Sequence, residues 1–142
     1  MAIGQGMCYP YKLDLFGDGH DLIGNVIRIA LYESSANLDL TQGAYTETGE
    51  SSGTSYIPGG EALDNKENKT DPGTGAALFT AGNVSWTGAT FNTAGAMIYD
   101  DTSNIKRAIG LLDFSQTFSI VNGNFTIIFP QYIAGSALIR ID

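Results

Sequence analysis

Residues 94–99, inside the stretch 86–101 (WTGATFNTAGAMIYDD), form a run with no polar face: Ala94, Ala96 and Ile98 alternate with Gly95, Met97 and Tyr99. Successive side chains of a strand point to opposite sides. A strand of this kind is therefore covered on both faces and belongs in the middle of a sheet or sandwich. Its small residues point to something packed closely over one face. The same stretch holds the only tryptophan and closes on Asp100 and Asp101.

The rest of the chain supplies neighbours for that strand. Residues 26–32 (VIRIALY) are dominated by β-branched and apolar side chains, with Arg28 the only charge, and read as a strand. Ile27, Ile29 and Leu31 share one face; Val26, Arg28, Ala30 and Tyr32 share the other. Residues 76–79, 107–114 and 137–141 read as further strands. Residues 118–129 carry a hairpin signal, in which Asn122-Gly123 provides the positive φ angles of a type I′ turn between Phe118–Ile120 and a strand bearing Phe125, Ile127 and Phe129. Pro58-Gly59 fits a type II turn ahead of a strand starting near Glu61. Residues 33–60 and 64–75 are polar and read as loops. Twenty-eight residues are long for a loop within a compact domain, so 33–60 is expected to be an interaction surface or a segment ordered by a neighbouring subunit. Residues 12–16 (KLDLF) fit one helical turn, with Leu13 and Phe16 on one face. The expectation is one all-β domain at 12–142, an antiparallel β-sandwich or barrel of about eight short strands with one short N-terminal helical turn. Residues 1–11 are expected to form an N-terminal arm.

Composition narrows the function classes. The chain has 142 residues, 18 of them glycine, and 7 Lys and Arg against 15 Asp and Glu give a formal charge of −8. So few and scattered cations make no patch for a phosphate backbone, and the acidic balance disfavours anionic membranes. One cysteine, Cys8, precludes an intrachain disulfide and a CxxC metal site. No run approaches the roughly 18–20 apolar residues of a membrane-spanning helix. The beginning, MAIGQGMCYPYK, lacks the basic start and apolar core of a signal peptide, so synthesis in the cytoplasm is expected.

Several residues invite a chemical reading. Gly49-Glu50-Ser51-Ser52-Gly53 matches G-x-S-x-G, but no helical pattern follows to complete a nucleophile elbow, and His20 is the only histidine available as a base. Ser51 therefore reads as part of a Ser/Gly-rich loop. Asp100 and Asp101, with Asp64, Glu67 and Asp71, offer hard oxygen ligands for calcium, but without EF-hand spacing. Asp-Asp-Thr-Ser-Asn is by itself a good turn sequence. His20 reads as a loop residue oriented by Asp21, and Cys8 as a small apolar residue. Trp86, Phe91 and Tyr99 can be an aromatic platform for a carbohydrate or flat ligand, but in a β chain read first as core. No enzyme is assembled from these parts, and no catalytic residue, metal site or cofactor is expected.

The ordered succession of segments resembles a family of small virion proteins of tailed bacteriophages. It runs from IRIALYESSA at 27–36 through AYTETGE at 44–50, GTSYIPGG at 53–60, VSWT at 84–87 and AMIY at 96–99 to IGLLDF at 109–114 and FTIIFP at 125–130. It spans about residues 12–142, with 1–11 outside it and the loop at 64–75 particular to this chain. The resemblance implies a capsid decoration (cement) or tail-associated protein located in the virion, with the major capsid protein and further copies of itself as partners, and no nucleic acid or membrane. Loops or the N-terminal arm would clamp neighbouring capsid subunits. The alternative is a tail- or fibre-associated module that binds a host-surface carbohydrate. A hydrolase using Ser51 is the third and weakest reading.

Overall fold

A computed structural model describes residues 3–17, 19–130 and 137–141. The elements are β1 (Gly6–Met7), α1 (Tyr9–Asp14), β2 (Ile27–Tyr32), β3 (Glu61–Ala62), β4 (Glu67–Thr70), β5 (Ala77–Thr80), β6 (Val84–Asp100), β7 (Ala108–Ile127) and β8 (Ile139–Ile141). They form two antiparallel sheets, of order β1-β7-β6-β2-β3 and β4-β5-β8. The fold is all-β and sandwich-like, and it is not a closed barrel.

The two-sided strand occupies the centre of the larger sheet. β6 lies between β7 and β2, and every residue from Thr93 to Asp100 is buried. The close packing that its small residues require comes partly from the N-terminal segment. A Cβ at Gly95 would stand 2.7 Å from Ile3 Cδ1 and 2.6 Å from the Leu112 carbonyl oxygen, so only glycine fits there. Toward its start, β6 alternates buried and exposed residues, as a one-faced strand should.

The described part of the expected N-terminal arm is docked on this sheet. β1 pairs with Leu111 and Gly110 of β7, Ile3 bridges Leu38, and Ile3, Cys8 and Tyr11 are buried. Pro10 stands in the first turn of α1, where its missing N–H costs nothing, and the helix ends before Leu15 rather than covering 12–16. Both apolar residues expected to share a face, Leu13 and Phe16, are solvent-exposed.

The hairpin expected at Asn122-Gly123 does not form. β7 runs straight through it and pairs with β6 along 20 residues, so two long strands replace several short ones. A type I′ turn needs positive φ at both central residues. Asn122 has φ 48°, but Gly123 is not left-handed, and the chain makes a β-bulge between Phe91↔Ile120 and Ala89↔Gly123 instead. The true reversal between β6 and β7 is the Asp101–Arg107 segment. Residues 64–75 are also not one loop: Glu67–Thr70 is an exposed strand paired with β5, and only the turn at Asp71 matches expectation.

Residues 33–60 are ordered by their own chain. Ser51 N donates to Leu31 O (2.8 Å) and Leu31 N donates to Tyr56 Oη (2.8 Å), bonds that a further strand beside β2 would otherwise supply. Tyr56, Ala36 and Leu38 are buried in the core. The segment ends in the expected type II turn, with Gly60 N donating to Ile57 O (2.9 Å) and Gly59 at φ 97°.

Candidate functional site

The densest polar constellation gathers residues that are far apart in sequence. α1 ends on Asp14, the following turn returns to His20, and the end of β6 delivers Asp100. His20 Nδ1 lies 2.7 Å from Asp100 Oδ2 and Nε2 lies 2.8 Å from Asp14 Oδ2. Arg107 Nε donates to the same Asp14 oxygen at 2.8 Å, and Asn25 Nδ2 donates to Asp100 Oδ2 at 2.9 Å. The Tyr11 ring lies against the imidazole, with centroids 5.5 Å apart. Asp21, expected to orient His20, instead accepts from the backbone amides of Ile23 and Gly24.

Electrostatics makes this a charged clamp. Burial pulls the His20 pKa down, but hydrogen bonds and charges from Asp14 and Asp100 overcome it, and the net shift is upward. The Asp14 carboxyl is lowered, chiefly by its hydrogen bond with His20 and then by Arg107. With a carboxylate on each ring nitrogen, this histidine has no free nitrogen for substrate. Beside it is a cavity of about 390 Å³ lined by Asn25, Thr102, Ser103 and Arg107; a second, of about 230 Å³, lies toward Tyr11, Leu78, Phe79 and Ile139.

The paired aspartates point to opposite sides, as successive residues at the end of a strand should. Asp100 is fully buried and accepts from the amides of Thr102 (3.0 Å) and Ser103 (3.3 Å), so it does cap the turn, while also anchoring His20. Asp101 faces the other way, toward Arg28 Nε (3.0 Å) and Lys106 Nζ. Asp71 caps its own turn, through Gly73 N at 2.9 Å, and Glu67 is exposed on β4. Among the described residues, no group of three or more His, Cys, Asp or Glu is placed to hold a metal ion.

A second constellation surrounds Glu50. Its carboxylate accepts from Tyr45 Oη (2.6 Å), Tyr56 Oη (2.6 Å) and Gly59 N (2.7 Å). Burial, then the hydrogen bonds to Glu50, push the Tyr45 and Tyr56 phenols up. Tyr45 stacks on Tyr99 with centroids 4.7 Å apart, and Tyr99 Oη donates to Gly59 O (2.6 Å). Above this pair opens a cleft of about 480 Å³, lined also by Arg28, Glu47, Pro58, Glu61 and Lys106.

Ser51, Cys8, Trp86, Phe91 and Tyr99, also singled out in the sequence, are buried, and Asp64 is exposed. Ser51 is 3% exposed, its hydroxyl donates to Asn92 O at 2.6 Å, and among the described residues no helix follows it. Burial, then Asp39, pushes the Cys8 thiol up to about 11, which suppresses its thiolate. Trp86, Phe91 and Tyr99 are buried and form no platform; Trp86 and Phe91 pack edge-to-face at 6.3 Å. Sequence reasoning missed Asp14, Asn25, Arg107 and the role of Glu50: Asn25 and Arg107 reach partners 75 and 93 residues away, while Asp14 and Glu50 have partners within ten residues but at no recognised motif spacing. No family model, curated protein or solved structure matches the chain.

Proposed function

We propose that this chain is a virion structural protein of a tailed bacteriophage, a capsid decoration (cement) protein that stabilises the assembled head by clamping neighbouring capsid subunits. The ordered resemblance over residues 12–142 motivates the reading, and one structural observation carries it further. Around the His20 clamp the molecule presents Leu13 (70% exposed) and Phe16 (92% exposed), with Ile23, Val26 and Ile105 also exposed. Val26 belongs to the same end, since its amide bonds Thr102 Oγ1 and its carbonyl accepts from Asp101 N. Apolar side chains gathered at one end of a small domain are a contact surface for a partner. The clamping element is then the α1 end. The 33–60 segment and residues 3–11 are committed to their own sheet. A ligand of the assembled state alone stabilises it by mass action.

The test is reconstitution: shells lacking the chain should take it up and gain heat resistance, and Leu13→Asp with Phe16→Asp should abolish both. A second reading, a tail- or fibre-associated carbohydrate-binding module, draws on the cleft over Tyr45 and Tyr99. Binding on a glycan array together with labelling at the tail tip would favour it over the decoration role.

A further inference from the structure

The charges of this protein are segregated, and the region without them has an open sheet edge. No Lys, Arg, Asp or Glu occurs at residues 72–99 or 114–139, although the chain carries 22 such residues elsewhere. The distal half of the β6–β7 ribbon is built entirely from these two runs. β1 covers only Gly110 and Leu111 of β7, and among the described residues no strand pairs with the outer side of β7 beyond Leu111. Charged side chains are one device that guards open edges in monomeric β proteins. From Phe114 onward this edge has none.

The surface beside the edge is an extension of the core. Phe114, Phe118 and Phe125 form a cluster with centroids 5.7–6.0 Å apart, and Phe125 continues it inward to Phe91 at 6.1 Å. Val121 is 72% exposed. Depletion of charge with enrichment of aromatics is the compositional mark of an interface core. The bulge at Asn122 turns that residue's amide inward to Thr90 Oγ1 (3.1 Å).

We infer that the outer edge of β7, from Phe118 to Ile127, pairs antiparallel with the same edge of a second copy of this chain. A copy fits better than another partner because each chain carries a formal charge of −8. Two copies meet without like-charge contact only where neither strand carries charge, and a strand edge is complementary to itself about a two-fold axis. The inference rests on the homo-oligomeric part of the coat reading. It is tested on the isolated chain, so its failure leaves shell binding to be judged separately.

The experiment is sedimentation equilibrium of the isolated protein across a concentration series centred on about 10 μM. The expected mass is twice the 15.0 kDa of the chain. Val121→Lys should weaken self-association at least about tenfold by placing like charges near the axis, with an unchanged circular dichroism spectrum. Ser119→Lys on the same edge gives an independent reading should Val121→Lys not fold, and Ile57→Lys, on the exposed turn before β3, should leave the dimer intact. A monomeric wild-type chain overturns the inference. So does a dimer that folded edge variants leave unchanged, or that Ile57→Lys disrupts equally.

Discussion

His20 and Asp100, eighty residues apart, meet at 2.7 Å, and this contact ties the turn after α1 to the end of the central strand. Because Asp14 holds the other imidazole nitrogen and also Arg107, four residues couple the N-terminal helix to the β6–β7 turn. The clamp therefore sets the shape of the end on which Leu13 and Phe16 are displayed.

The clamp gives stability a pH signature. His20 has a raised folded-state pKa, so its contribution is fully present below its ordinary value of 6.5 and is lost as pH rises through the folded value. Asp14 is depressed, so its contribution is present above its ordinary 3.8 and is lost as pH falls through the folded value. Thermal melts should show stability highest between these two ordinary values and declining on the alkaline side above 6.5. His20→Asn should cost roughly 2 kcal/mol in that range and remove the alkaline decline. A decline unchanged in His20→Asn would assign it to another group.

Trp86 is 2% exposed, and its indole Nε1 has no hydrogen-bond partner among the described residues. Trp86→Ala should cost about 3–5 kcal/mol through the cavity it leaves. Trp86→Phe keeps much of the ring packing and removes the unsatisfied N–H, so it should cost only about 1–2 kcal/mol. Urea titrations of the two variants check the order.

Gly60 ends the turn that brings β3 beside β2. Its φ is +77°, and a Cβ there would stand 1.8 Å from the Ile29 carbonyl oxygen. Gly60→Ala should destabilise by at least about 2 kcal/mol, whereas Gly17→Ala, which meets nothing within 4 Å, should stay within about 0.5 kcal/mol of wild type. Equal melting temperatures for the two variants would contradict the close packing.

What was legible in the sequence is what period and turn chemistry encode locally. The strand at 26–32, the two-sided run at 94–99 and the Pro58-Gly59 turn need only near neighbours to be recognised. The missed features depend on distant partners. Asn122-Gly123 has the letters of a hairpin, but β6 offers β7 a partner along its full length, and the long pairing prevails over the local turn. The segment 33–60 has no period because it serves β2 through single bonds such as Tyr56 to Leu31 rather than through a ladder. The site was legible only in part. His20 stands out as the sole histidine, but nothing near it in the sequence announces Asp14 or Asp100 as its partners.

The coat reading places the α1 end against the shell, so the virion itself is the final arbiter. The decisive measurement is the ratio of this chain to the major capsid protein in purified virions, by quantitative mass spectrometry, with gold labelling to locate it. Repetition by capsid symmetry predicts on the order of hundreds of copies, with label distributed over the head. About a dozen copies or fewer, or label confined to the tail, would contradict the decoration role.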